Sequence, residues 1–155
     1  EFENRAARVL ASNWRVSGIF RASSGDPLTV TVTGDPAGTG VGGQRANVIL
    51  DDVYGDKTID NYLNAAAFSR PANGTYGDQV RGSFTGPGDK IVDLAVVRGF
   101  RFGVHRIEAR IEAFNAFNFF RMGNPGTNLN APATFGRITN AGTPRVMQFA
   151  VKYEF

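Results

Sequence analysis

The stretch Arg145–Phe155, RVMQFAVKYEF, alternates almost without error. Met147, Phe149, Val151, Tyr153 and Phe155 are apolar or aromatic, and Gln148, Lys152 and Glu154 fall between them. Side chains of a β-strand point to opposite faces in turn, so this pattern reads as a strand with one dry face and one wet face. Three further segments share the period. In NWRVSGIFRASS, Trp14, Val16, Gly18, Phe20 and Ala22 oppose Arg15, Ser17, Ile19, Arg21 and Ser23. In KIVDLAVVRGF, Val92, Leu94, Val96 and Phe100 share a face with Arg98, against Asp93, Ala95 and Val97. In HRIEARIEAFNAFN, Ile107, Ala109, Ile111 and Ala113 oppose Arg106, Glu108, Arg110 and Glu112. Ala, Glu and Arg favour helices, but a helix would set Glu108 and Glu112 beside the apolar stripe. As a strand, the segment puts every charge on one face, so a strand is expected. PLTVTVT is β-branched and either extends the first strand or opens the loop behind it.

The connections are unequal. Gly103 offers a positive-φ position for a tight turn between the second and third segments. By contrast, residues 33–89 and 119–144 are long stretches rich in Gly, Pro, Asn and Asp. Loops without structure of their own rarely exceed about 12–15 residues in compact soluble domains. Alternating short turns and long loops is the habit of an outer-membrane barrel. A soluble sandwich shows the same residue alternation with its apolar face inward, and a barrel in lipid shows it with that face outward and a polar lumen.

The 155 residues are 42% apolar, which is enough for an ordinary core. Cysteine is absent, which excludes disulfides and thiol chemistry. The net charge of +3 comes from scattered Lys and Arg with no basic run, so no nucleic-acid partner is indicated. No stretch reaches the ~18–20 apolar residues of a membrane helix, but a membrane strand needs only about 9–11. The start of the chain, EFENRAARVLASNW, reads as the continuation of something upstream.

Candidate chemistry is thin. GTGVGG (Gly38, Gly40, Gly43) fits the dinucleotide pattern, but no clear helix follows it. His105 is the only histidine, and Ser83 lacks the frame of a nucleophile elbow, so a triad is not expected. Glu108 and Glu112 stand about 13 Å apart along one strand face, too far for a glycosidase pair. If the hairpin turns at Phe102–Gly103, Asp93 lies opposite Glu112, and a shift of two residues sets it opposite Arg110. Asp93, Glu108, Arg110, Glu112 and Lys152 then form a charge ladder on a lumen wall. Asp51, Asp52, Asp56 and Asp60 lack the spacing of a calcium loop. No cofactor and no metal is expected. The loop aromatics Tyr54, Tyr62, Phe68, Tyr76 and Phe84 either pack the loop or stack on a ligand such as a sugar.

The order of NWRVSGIFRASSGDPLTVT, TIDNYLNAAAFSRPANGTYGD, VRGSFTGPGDKIVDLAVVRGFRF, RIEARIEAFNAFNFFRMGNP and FGRITNAGTPRVMQFAVKYEF resembles the end of TonB-dependent outer-membrane receptors of the Oar-like group. EAFNAFN with the final Phe is the most specific part. The resemblance implies an all-β antiparallel meander, about the last four strands of a larger barrel, in the bacterial outer membrane. It implies that YLNAAAF belongs to a structural loop folding back over the barrel mouth. It implies that Phe149, Val151, Tyr153 and Phe155 form a signal for the barrel assembly machinery. Outer-membrane lipid would be one partner, and TonB another, through parts not in this sequence. The ligand would be a siderophore, an oligosaccharide or a peptide. Four strands cannot close a barrel, so residues 1–155 are expected to be one β segment of a longer chain. Alone in water they would instead form a small sandwich or open barrel. The alternatives are a soluble β module that binds carbohydrate and, further off, a small hydrolase. Bare apolar faces would mark the membrane protein, and stacked ones the soluble module.

Overall fold

The computed structural model describes residues 12–155; residues 1–11, the part read as continuing from upstream, lie outside the described residues. In chain order the strands are β1 (Trp14–Ser23), β2 (Pro27–Leu28), β3 (Thr31–Val32), β4 (Gln44–Arg45), β5 (Asn47–Val48), β6 (Phe68–Ser69), β7 (Phe84–Thr85), β8 (Asp89–Phe102), β9 (His105–Phe114) and β10 (Val146–Glu154). A single 3₁₀ turn, Ala65–Ala67, is the only helical element among the described residues. The four segments with period two are the four long strands, and the chain is all-β as expected.

Two compact units are formed. The first comprises residues 12–22, Lys90–Phe119 and Thr143–Phe155. It is a four-stranded sheet in the order β1-β8-β9-β10. β8 and β9 form a hairpin closed by the pair Phe102↔His105. Gly103, at φ +61°, takes the first turn position, where an L-residue with a side chain would be strained. The turn is thus Gly103–Val104, one residue later than the sequence suggested, and the ladder moves by two. Ala95 lies opposite Glu112 and Val97 opposite Arg110, while Asp93 falls beyond the last pair, Leu94↔Ala113. The expected partners of Asp93 are therefore not met. A two-residue shift preserves every face, because the side-chain period is two.

β9 does not run on through FNAFN. The chain turns there because two asparagines adopt left-handed conformations, Asn115 at φ 50° and Asn118 at φ 53°. Asparagine tolerates this region because its short amide can bond locally. Asn115 is 1% exposed and fully used. Its Oδ1 accepts from Phe119 N at 2.9 Å and its Nδ2 donates to Phe119 O at 3.0 Å. Its backbone N–H donates to Asp93 Oδ1 at 2.9 Å. Asn118 Oδ1 accepts from Arg145 N at 3.0 Å, which aims the chain into β10.

The second unit, Ser23–Asp89 with Phe120–Gly142, is built from the two stretches expected as loops. They carry the pairs β2–β7, β3–β4 and β5–β6 and a hydrophobic core of their own. PLTVTVT supplies Leu28, Val30 and Val32 to the interior, while Thr29, Thr31 and Thr33 lie between them on the other side. YLNAAAF supplies Tyr62, Leu63, Ala67 and Phe68, with Asn64 capping the 3₁₀ turn through Ala66 N at 3.0 Å. From the second stretch come Phe135 and Ile138. Gly136 is indispensable to this docking. Its carbonyl accepts from Tyr62 N at 2.7 Å, its φ is +69°, and a Cβ there would sit 2.4 Å from Leu63 O.

Candidate functional site

The sheet has two chemically different faces. On one, Leu94, Val96, Phe100, Ile107, Ile111, Phe149, Val151 and Tyr153 fall in register. Phe149 is 69% exposed and Val151 75% exposed, and Val16 and Phe20 of β1 are similarly bare. Among the described residues these side chains are bare rather than stacked against a second sheet. Arg98 shares the face, opposite Ala109. Its guanidinium carbon stands 4.8 Å from the Trp14 ring centroid and 4.5 Å from that of Phe100. Aromatic faces are suitable neighbours for a cation on an otherwise apolar surface. Tyr153 stacks on His105, with its hydroxyl 2.8 Å from Nδ1, and Phe155 follows at 6.0 Å from the Tyr153 ring. Aromatic residues thus gather at the short-turn end of the sheet.

The other face carries Glu108, Arg110, Glu112 and Lys152. Lys152 pairs in register with Glu108, and Gln148 with Glu112. Arg110 contacts Glu112 at 2.6 Å, Lys152 contacts Glu154 at 2.6 Å, and Glu108 lies 3.6 Å from Arg15 and 3.7 Å from Arg106. Such half-exposed pairs contribute about 0–1 kcal/mol each. Their effect is to keep the face hydrated rather than to hold the sheet. Asp93 stands apart from this ladder as the acceptor at Asn115.

The remaining candidates resolve into local structure. Tyr62 and Phe68 are buried, and Tyr54 and Phe84 pack against the same core. Edge contacts join Tyr54 to Tyr62 at 5.8 Å and Phe68 to Phe84 at 5.5 Å. Both tyrosine hydroxyls reach Thr85 O at 3.2 Å, and burial raises the Tyr62 phenol above its ordinary pKa, so it remains a donor. Tyr76 alone of the five presents its ring, at 67% exposure. In GTGVGG the amides face a carboxylate of the chain itself. Asp35 accepts from Thr39 Oγ1, Gly40 N and Gln44 Nε2. The Thr39 backbone N–H, with those of Gly40 and Gly38 and the Thr39 hydroxyl, holds Asp35 below the usual carboxylate range against the opposing effect of burial. Asp52 binds Tyr54 N, Asp56 binds Asn61 and Asp60 pairs with Arg137 at 2.6 Å. Among the described residues no group of acids or histidines is gathered to hold a metal.

A four-stranded antiparallel sheet, apolar and uncovered on one side and charged on the other, is part of the wall of a membrane-spanning β-barrel. The comparison with known families agrees: a model described as an outer membrane beta barrel domain matches residues 1–148. The chain belongs to this family, and its location is the bacterial outer membrane. No curated protein and no solved structure matches it.

Proposed function

We propose that the chain is part of a TonB-dependent receptor of the Oar-like group, which takes up or binds a ligand at the cell surface. The observation that carries this reading is the EAFNAFN turn: the motif behind the resemblance is structurally committed, with both asparagines left-handed and Asn115 fully bonded. The bare apolar face fits contact with outer-membrane lipid. The charged face, with Glu108, Arg110, Glu112 and Lys152, lines the lumen, while Asp93 serves the turn. Ser23–Asp89 and Phe120–Gly142 then form the surface-exposed part, which meets a siderophore, an oligosaccharide or a peptide, with Tyr76 as its available ring.

Two experiments test the reading. The full-length protein, cross-linked in growing cells, is expected to yield an adduct with TonB that is lost when the proton-motive force is collapsed. No adduct under either condition would contradict energised transport. The assembly role of Phe149, Val151, Tyr153 and Phe155 is tested by deleting Phe155. The deletion should lower the amount of heat-modifiable protein in purified outer membranes far more than it lowers the stability of molecules already inserted. Equal amounts would make Phe155 an ordinary strand residue, worth at most about 1.5–3 kcal/mol.

A further inference from the structure

The second unit holds eight aspartates, no glutamate and six Lys and Arg, so it is acidic overall. Four of those six cations are engaged. Lys57 lies over the Tyr54 ring at 4.3 Å, Arg70 donates to Thr33 O at 2.7 Å, Arg121 pairs with Asp89 and Arg137 with Asp60. The other two, Arg45 and Arg81, are exposed, and their side chains make no hydrogen bond or ion pair among the described residues. Both line the same hollow of ≈ 670 Å³. The hydroxyl-bearing residues Thr29, Thr31 and Thr127 line it as well, and no acidic or aromatic side chain does.

The backbone around the hollow is pinned before any ligand arrives. Arg45 pairs with Thr31 across β3–β4, Thr31 N donates to Thr127 O at 2.9 Å, and Gly82 N, next to Arg81, donates to Thr29 Oγ1 at 2.8 Å. That last bond uses the Thr29 oxygen as acceptor and leaves its O–H as a donor. Leu28, Val30 and Val32 anchor the same run in the core and hold Thr29 and Thr31 in place. Unmatched cations concentrated in one preformed hollow of an acidic unit call for an anion. Guanidinium groups match carboxylates in two-point contacts, threonine hydroxyls suit sugar hydroxyls, and the absence of a ring leaves charge rather than stacking to drive binding.

We propose that this hollow binds an acidic oligosaccharide, with uronate carboxylates on Arg45 and Arg81 and sugar hydroxyls on the threonines. The inference rests on the receptor reading only for the ligand's access from outside the cell. Binding is measured on the full-length protein in detergent micelles, so it does not depend on transport or on TonB. The probe is fluorescent trigalacturonate. Wild type is expected to bind it at low salt and to weaken at high salt. Arg45→Gln and Arg81→Gln are each expected to weaken binding on the order of tenfold or more. Lys57→Gln, which removes a cation of the same unit outside the hollow, should bind as wild type. Both arginines are exposed, and unchanged heat-modifiability of the variants verifies that the barrel is intact. Failure to bind trigalacturonate, unaltered binding by both arginine variants, or equal weakening by Lys57→Gln would overturn the assignment. Equal competition by neutral maltotriose would remove the anion from the proposal, and equal competition by inorganic phosphate would remove the saccharide.

Discussion

At the scale of single residues, Asn115 carries more structure than its polarity suggests. It is buried at 1% exposure, left-handed, and bonded through its backbone N–H and both side-chain polar atoms. Asn115→Ala loses the amide bonds, leaves Phe119 polar groups without them and strains the backbone. The expected cost is about 2–4 kcal/mol, read as a lower urea midpoint of the folded protein in micelles. Asn115→Gly relieves the strain but not the lost bonds and should fall between the two; a wild-type midpoint for Asn115→Ala would contradict this role. The motif was visible in the sequence, but its role was not. Period two already fails in FNAFN, where Asn115 falls on the apolar face and Phe114 and Ala116 on the charged one, but the failure does not say that the chain turns there, and the left-handed φ values leave no trace in the pattern. Arg45 and Arg81 were equally silent, since nothing in their neighbourhoods brings two distant arginines to one hollow.

Elements follow from the sequence more directly. Alternation over about ten residues located all four long strands, and it did so because one face is apolar except at Arg98. What it could not fix was register. Moving the turn from Phe102–Gly103 to Gly103–Val104 shifts each partner by two and leaves both faces unchanged, so face chemistry cannot distinguish the two registers. The face assignment itself gives a prediction. Ile111→Arg, on the bare face, should destabilise the folded protein by about 2–4 kcal/mol if it lies near the bilayer midplane, whereas Glu112→Arg, one residue away on the charged face, should cost far less. Equal effects of the two on urea unfolding in lipid vesicles would count against the assignment. In the second unit, the Asp35 turn has a pH dependence of known sign. Hydrogen bonds hold the Asp35 pKa below its ordinary 3.8, so the carboxylate favours the turn at every pH above that value. This contribution is lost only as pH falls through the lower folded value. The protection of the Gly40 amide, its exchange rate relative to the intrinsic rate at the same pH, should therefore hold on acidification to pH values near 4 and fall below that, and Asp35→Asn should abolish this change in protection. An onset above the ordinary Asp value would have the wrong sign.

For the whole molecule, the loops were the least legible part. Residues 33–89 and 119–144 looked structureless because their strands are two residues long and their partners are remote, as in the Thr33 N to Asn130 Oδ1 bond at 2.8 Å. No local period records such pairings, yet they enclose a core around Val30, Tyr62, Phe68 and Phe135. The membrane reading, by contrast, was legible twice, in the alternation and in the order of motifs, and the bare face and the family match agree with it. Its central claim is that Phe149 and Val151 meet lipid while Gln148 and Lys152 meet water. The chain has no cysteine, so single Cys replacements at 148, 149, 151 and 152 can each carry a nitroxide label. With the full-length protein in lipid bilayers, spin-label relaxation by oxygen, which partitions into lipid, is compared with relaxation by a water-soluble nickel chelate. The account predicts oxygen dominating at 149 and 151 and nickel dominating at 148 and 152. Nickel access at all four positions, or an alternation of the opposite phase, would contradict it.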